Sequence, residues 1–208
     1  MLNMHPSLKT IALSIASSIA ISLPAHAVTV YSYTGVAFDS FINQIDGITY
    51  TVIDHVTISL TLSSALPANF SGNINSYLTS YTLSDGNYTV NGSNSTLGSY
   101  FFGYPSLTTN ASGAVVQWDL RSVLTLAPGE ANLISSRNLG SGSVDSGAVT
   151  LQCSPTPCNG TLESLGENFG SPGTWQVGAV PEPGTQAMMS LGAIALLIAS
   201  RRRRTEPQ

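Results

Sequence analysis

Ile48-Thr49-Tyr50-Thr51-Val52-Ile53-Asp54-His55-Val56-Thr57-Ile58-Ser59-Leu60-Thr61-Leu62 is the stretch whose reading decides the fold class. Val52, Asp54, Val56, Ile58, Leu60 and Leu62 fall on one face of an extended chain, and Thr51, Ile53, His55, Thr57, Ser59 and Thr61 on the other. Successive side chains of a strand point to opposite faces. The pattern therefore predicts a strand over 48–62 in an antiparallel sheet with one wet side.

The same period extends outward. Val28 to Tyr33 alternates and ends at Gly35; Tyr77 to Leu83 and Asn87 to Val90 flank Ser84-Asp85-Gly86. An Asp-Gly pair between alternating runs is a hairpin signal, because glycine accepts the positive φ of the turn. Leu97 to Tyr104 and Ala114 to Arg121 read as two further strands joined by Asn110-Ala111-Ser112-Gly113, with Val116, Trp118 and Leu120 on one face. Val123 to Leu126 extends the sheet until Pro128-Gly129 stops it. From about Leu133 the alternation fades into Ser, Gly and Pro, with short strands expected only at 149–151 and 174–177. Eight to ten short strands between turn signals predict an all-β body, an antiparallel β-sandwich or jelly roll with a loop-rich second half.

Both ends of the chain depart from this pattern. Met1 to Lys9 is polar, Thr10 to Leu23 is apolar, and Pro24-Ala25-His26-Ala27 places small residues, Ala25 and Ala27, where a signal peptidase reads. Residues 1–27 are thus read as a secretory signal cut after Ala27. At the other end Val180-Pro181-Glu182-Pro183 precedes an apolar run, Gly184 to Ser200, and then Arg201, Arg202, Arg203 and Arg204. The run is 17 residues, about 25 Å as a helix against a hydrocarbon core of about 30 Å. It is expected to form a transmembrane helix, with the arginines on the cytoplasmic side and residues 205–208 as a polar tail.

Between these ends lies the expected exported domain, 28–180. Its only basic residues are Arg121 and Arg137, against nine acids, a balance of −7. No basic footprint for nucleic acid is present. Cys153 and Cys158 form an isolated close pair, read in an oxidising compartment as a disulfide that contributes roughly 2 kcal/mol. Two cysteines without a nearby histidine make a poor zinc site, and the spacing is not the C-x-x-C of redox enzymes.

Residues able to carry chemistry are few. His55 is the one histidine of the body and stands beside Asp54, but neighbours on a strand face opposite ways. No Gly-x-Ser-x-Gly elbow accompanies it, and no Asp-rich calcium loop occurs. The acids are scattered singly, several in turns where aspartate is a good turn residue. The residues thus point to no catalytic, metal or cofactor site, and a hydrolase is the minor reading. The tyrosines and tryptophans offer a stacking surface for sugars, so a carbohydrate-binding module is an alternative. Trp118, sharing its face with Val116 and Leu120, reads as core, whereas the run Tyr100, Phe101, Phe102 and Tyr104 is the place for an exposed aromatic. Asn-x-Ser/Thr sequons at Asn69, Asn87, Asn91, Asn94, Asn110 and Asn159 mark a polar surface.

A glycolipid-anchor signal does not end in four arginines, and a sortase signal needs Leu-Pro-x-Thr-Gly, absent from the tail. What Val180 to Pro183, the short apolar span and Arg201 to Arg204 resemble is the PEP-CTERM sorting signal of Gram-negative bacteria. The resemblance implies recognition and cleavage near Pro181-Glu182-Pro183 by an exosortase, an integral-membrane cysteine enzyme, after signal peptidase has acted at the other end. It also implies a membrane-anchored precursor exported through the inner membrane, and a mature form in the envelope, at the cell surface or in an exopolysaccharide or biofilm matrix. The partners so implied are the two processing enzymes, the membrane through 184–200, and extracellular polysaccharide. The body is also similar to a group of PEP-CTERM proteins with an opening Tyr-x-Tyr-Thr-Gly, a Leu-Pro-Ala-Asn turn and a Ser-Gly-x-x-x-x-Trp-Asp strand, matched at Tyr31 to Gly35, Leu66 to Asn69 and Ser112 to Asp119.

Overall fold

The structure, a computed structural model, describes residues 28–43, 48–98, 103–153 and 161–180. They fall in one compact unit, Val28–Val180. The secretory signal with Ala25 and Ala27, the motif residues Pro181 to Pro183, the apolar span and Arg201 to Arg204 lie outside the described residues. So do Cys158, Tyr100, Phe101 and Phe102.

Two antiparallel sheets make the unit. The first orders β13(Thr174–Val180), β1(Val28–Thr34), β3(Thr57–Leu62), β5(Leu78–Ser84) and β6(Thr89–Asn91). The second orders β2(Ser40–Asn43), β12(Thr161–Phe169), β11(Ser143–Cys153), β10(Gly129–Asn138), β9(Val115–Ala127), β8(Ser106–Thr109) and β4(Ser71–Asn73), with β7(Thr96–Leu97) also on β9. Tyr31, Ile58, Leu60, Leu62 and Leu83 from the first sheet meet Leu107, Trp118, Leu120 and Ile134 from the second in one buried cluster. A face-to-face sandwich follows from each sheet having one apolar side to hide.

The expected all-β antiparallel body is present, and the hairpin at Asp85-Gly86 joins β5 to β6 with Ser84 opposite Thr89. Asp85 Oδ1 accepts the Asn87 and Tyr88 amides at 3.0 and 2.7 Å, and Gly86 takes φ +97°. The Asn110 turn forms similarly, its side chain accepting from Ser112 and Ala114, but it joins β8 to β9. The strand expected over 97–104 is confined to Thr96–Leu97 among the described residues, and the unexpected β8 follows Pro105. Trp118 is core, as its face implied.

Two expectations are corrected. The strand over 48–62 begins only at Thr57. Asp54 accepts from the Thr51 amide and hydroxyl at 2.8 and 2.9 Å, closing a local turn, so Val52 and Ile53 stand 68% and 78% exposed. Short Thr and Asp side chains that bond nearby backbone compete with a ladder, and here they prevail over the alternation. The second half, expected to be loop-rich, instead supplies β10, β11 and β12, the middle of the larger sheet. Besides Ile134 and Val149, these strands bury mostly small or polar residues, Ala131, Asn132, Ser135, Ser136, Ser143 and Ser164.

Leu60 is fully buried at the centre of the first sheet. Leu60→Ala is expected to cost roughly 2–5 kcal/mol, and Val52→Ala no more than about 0.5 kcal/mol, read as shifts in the urea midpoint. Comparable losses at both positions would mean that residue 52 packs inward as the alternation requires.

Candidate functional site

The described residues bring three features to notice: the paired ends of the domain, a sealed polar interior and one surface cleft. At the ends, β1 runs antiparallel to β13 with an unbroken register from Val28 opposite Val180 to Thr34 opposite Thr174. Directly opposed residues of such a pair have Cα atoms about 4.5–5.5 Å apart. The first residue after the expected signal cut and the residue just before Pro181 are thus neighbours at one end of the sheet.

The opposite end of this strand pair is clamped by aromatics. Tyr33 and Trp175 are register partners with ring centroids 5.1 Å apart, and Trp118 of the other sheet lies 5.1 Å from Tyr33 and 5.7 Å from Trp175. Tilted and edge-to-face pairs of this kind contribute roughly 0.5–1.5 kcal/mol each beyond burial. The Gly173 amide donates to the Tyr33 hydroxyl at 2.9 Å, and any Cβ at Gly173 would collide with the Thr34 carbonyl. Nearby, the Leu66 amide donates to the Tyr31 hydroxyl at 2.9 Å, the Asn69 amide to the Asn110 carbonyl at 3.0 Å, and Asn69 takes φ +57°. The three stretches quoted above, Tyr31 to Gly35, Leu66 to Asn69 and Ser112 to Asp119, therefore meet in one packing unit.

Sequence reading missed the polar interior. Asp85 is 0% exposed and Asp145 2%. Asp85 Oδ2 accepts the Tyr50 hydroxyl at 2.7 Å and Asn132 Nδ2 at 2.9 Å; Asp145 Oδ2 accepts the Tyr33 hydroxyl at 2.7 Å. Ser136, the register partner of Asp145, accepts Trp118 Nε1 at 2.8 Å. Glycines make the room: a Cβ at Gly147 would fall 2.5 Å from that of Asp85, and one at Gly35 would strike Asp145 Oδ2. Burial pushes the Asp145 carboxyl up to about 6, against the Ser136 and Tyr33 hydroxyls and the His55 charge, which pull it down. Burial and then the facing carboxylate likewise raise Tyr33 and Tyr50 above the usual phenol range, keeping both as donors. No spacing signal marks these acids, because Asp85 reads as a turn residue and Asp145 sits in a Ser/Gly run.

His55 places Nδ1 3.1 Å from the Ile53 carbonyl, and Asp54 is occupied by Thr51, so the pair is not a base and its orienter. Among the described residues no group of three or more His, Cys, Asp or Glu side chains is arranged to hold a metal, and no helix is long and apolar enough to cross a membrane. The backbone of Cys153 ends β11 opposite Gly129; with Cys158 undescribed, the disulfide stays an expectation. A cleft of about 280 Å³ opens beside β5, lined by Tyr81, Leu78, Asn75, Gly92, Ser95 and Thr96. The Tyr81 hydroxyl donates to the Ser95 carbonyl at 2.7 Å, which fixes the ring at its wall.

The all-β domain thus has its two ends, Val28 and Val180, side by side, each next to an expected processing signal. The tail gives the kind of signal at the C-terminal side: residues 179–204 match the PEP-CTERM protein-sorting motif. The motif marks an exported protein whose membrane-anchored precursor is processed by exosortase. No curated protein and no solved structure matches the chain.

The folded-state value of Asp145, about 6, lies above that of an unfolded aspartate, about 3.9. Below about pH 4 both states carry the proton; between about 4 and 6 the folded state holds it more tightly; above 6 the buried charge costs roughly 3 kcal/mol. Stability should therefore fall as pH rises through that window. Asp145→Asn is expected to remove this component, so that unfolding free energies at about pH 4.5 and about pH 7 converge relative to the parent. An unchanged difference would assign the pH dependence to other groups.

Proposed function

We propose that this chain is a non-enzymatic structural protein of the envelope or extracellular matrix, anchored in the inner membrane as a precursor and freed by exosortase as the domain 28–180. The observation that carries the reading is the junction of sorting motif and fold. The match starts at Ala179, within β13, and Val180 pairs with Val28. A cut near Pro183 leaves every pair of the β1–β13 ladder in place. The low charge and the Ser, Thr and Asn side chains of the exterior suit a hydrated polysaccharide environment, which supports an exopolysaccharide-associated role.

Intact-mass measurement on protein from the native host is expected to give an N-terminus near Val28 and a C-terminus close to Pro183, without Arg201 to Arg204. Arginines retained on the mature protein would leave a simple tail anchor instead.

The cleft favours a second reading, a carbohydrate-binding module. Tyr81 presents an aromatic wall beside the Asn75, Ser95 and Thr96 groups able to bond sugar hydroxyls, the mix of apolar and polar lining that ligand sites use. On this reading the protein is retarded in gels cast with the producer's own polymer, and Tyr81→Ala, although it gives up packing against the core and the bond to Ser95, abolishes the retardation at a temperature where circular dichroism shows parent and variant both folded. Equal migration of parent and variant in the polymer gel would remove the cleft from consideration.

A further inference from the structure

Among the described residues five strands are paired on one side only, and they differ sharply in how they are protected; β7 has just two residues. β6 and β4 have three residues each and β2 has four, flanked by Asp39. Short edges are poor templates for another chain. β13 has seven residues, Thr174-Trp175-Gln176-Val177-Gly178-Ala179-Val180, with no charge, no proline and no break in register against β1. None of the usual devices that blunt an edge is built into it.

One side chain on this strand is out of place for a terminal edge. Trp175, Val177 and Ala179 oppose Tyr33, Tyr31 and Thr29 of β1, whose side chains are buried, so their register points them to the core face. Val177 is nevertheless 50% exposed. The described residues leave an apolar group on the inner face of the outermost strand without a neighbour beyond it.

We propose that β13 is a pairing edge for a second copy of the same chain, two copies joining antiparallel about a twofold axis at Val177. An antiparallel strand pair is self-complementary under such an axis. Centring it on Val177 sets Val177 against itself, Trp175 against Ala179 and Gln176 against Gly178, so the exposed valines cover each other and the bulky ring meets a small residue. The five-stranded sheet continues through the axis into that of the partner. Each body carries net negative charge, but the strand carries none, so the like charges stay off the contact. The sorting-motif match begins at the last two residues of this strand.

Sedimentation equilibrium of the protein recovered from producing cells, and of the full chain in detergent, is expected to show a monomer–dimer equilibrium in the first. Val177→Lys should weaken it about tenfold or more, since two ammonium groups would meet at the axis, with the unfolding midpoint unchanged because the site is half exposed. Direct opposition places the two Cα atoms within disulfide range, so Val177→Cys should give an oxidised covalent dimer, and Tyr104→Cys, at an exposed site outside the strand, should not. A monomer at every concentration, or equal cross-linking at both positions, overturns the proposal. A covalent adduct whose mass is that of this chain plus a different protein also overturns it and points to a heterologous strand partner.

Discussion

The hydrogen bond from Tyr33 on the first sheet to Asp145 on the second, 2.7 Å long and sealed from water, is the constraint on which the sandwich depends. An unpaired buried carboxylate costs several kcal/mol, so the two sheets are held at the one spacing and register that lets the phenol reach it. Asp85, in the β5–β6 turn of the first sheet, repeats the device by accepting Asn132 Nδ2 of the second sheet at 2.9 Å, with the Tyr50 hydroxyl on the same oxygen at 2.7 Å. Apolar packing is tolerant of sliding; a phenol aimed at a single oxygen is not. The bridges therefore specify how the sheets face each other, while Leu60, Leu62, Leu83 and Leu120 supply the burial that holds them together.

That constraint explains the composition of the second half. Space for Asp85 exists only because residue 147 is glycine, and the Phe38 and Tyr50 rings approach Gly166 so closely that a Cβ there would lie 2.5 and 2.7 Å from them. Small residues on β10, β11 and β12 form the floor onto which aromatic and acidic groups from elsewhere descend. In sequence such strands look like linkers, because Ser, Asn, Asp and Gly stand beside Ile134 and Val149 among their buried residues and the contrast of hydrophobicity between faces is weakened. Thr57–Leu62, with Ile58, Leu60 and Leu62 buried, kept that contrast and was legible, as were β1 with its buried Tyr31 and Tyr33, the Asp85-Gly86 turn and the inward Trp118. At 48–56 the contrast was present but misleading, since Asp54 closes a turn that alternation alone does not register.

The C-terminal motif was legible for a different reason. A sorting signal is read as linear sequence before and beside folding, so its order of Pro-Glu-Pro, apolar span and arginines survives in the chain without any tertiary context, and residues 179–204 match on that basis. The interior carboxylates are the opposite case: their meaning is wholly tertiary, linking residues 112 positions apart in the case of Tyr33 and Asp145.

Placing the signal immediately beyond β13 has a mechanical consequence. β13 is an outer strand, joined to the sheet along one side only, yet it carries Trp175, which closes the aromatic cluster with Tyr33 and Trp118. A cut within the strand would remove ladder pairs and loosen that cluster, whereas a cut after Val180 removes none. Pro181 follows directly in sequence and has no amide hydrogen to donate to a ladder, and β13 as described runs to Val180. The Pro-Glu-Pro residues therefore stand outside the β1–β13 ladder, and none of the strands that the polar bridges hold in register includes them.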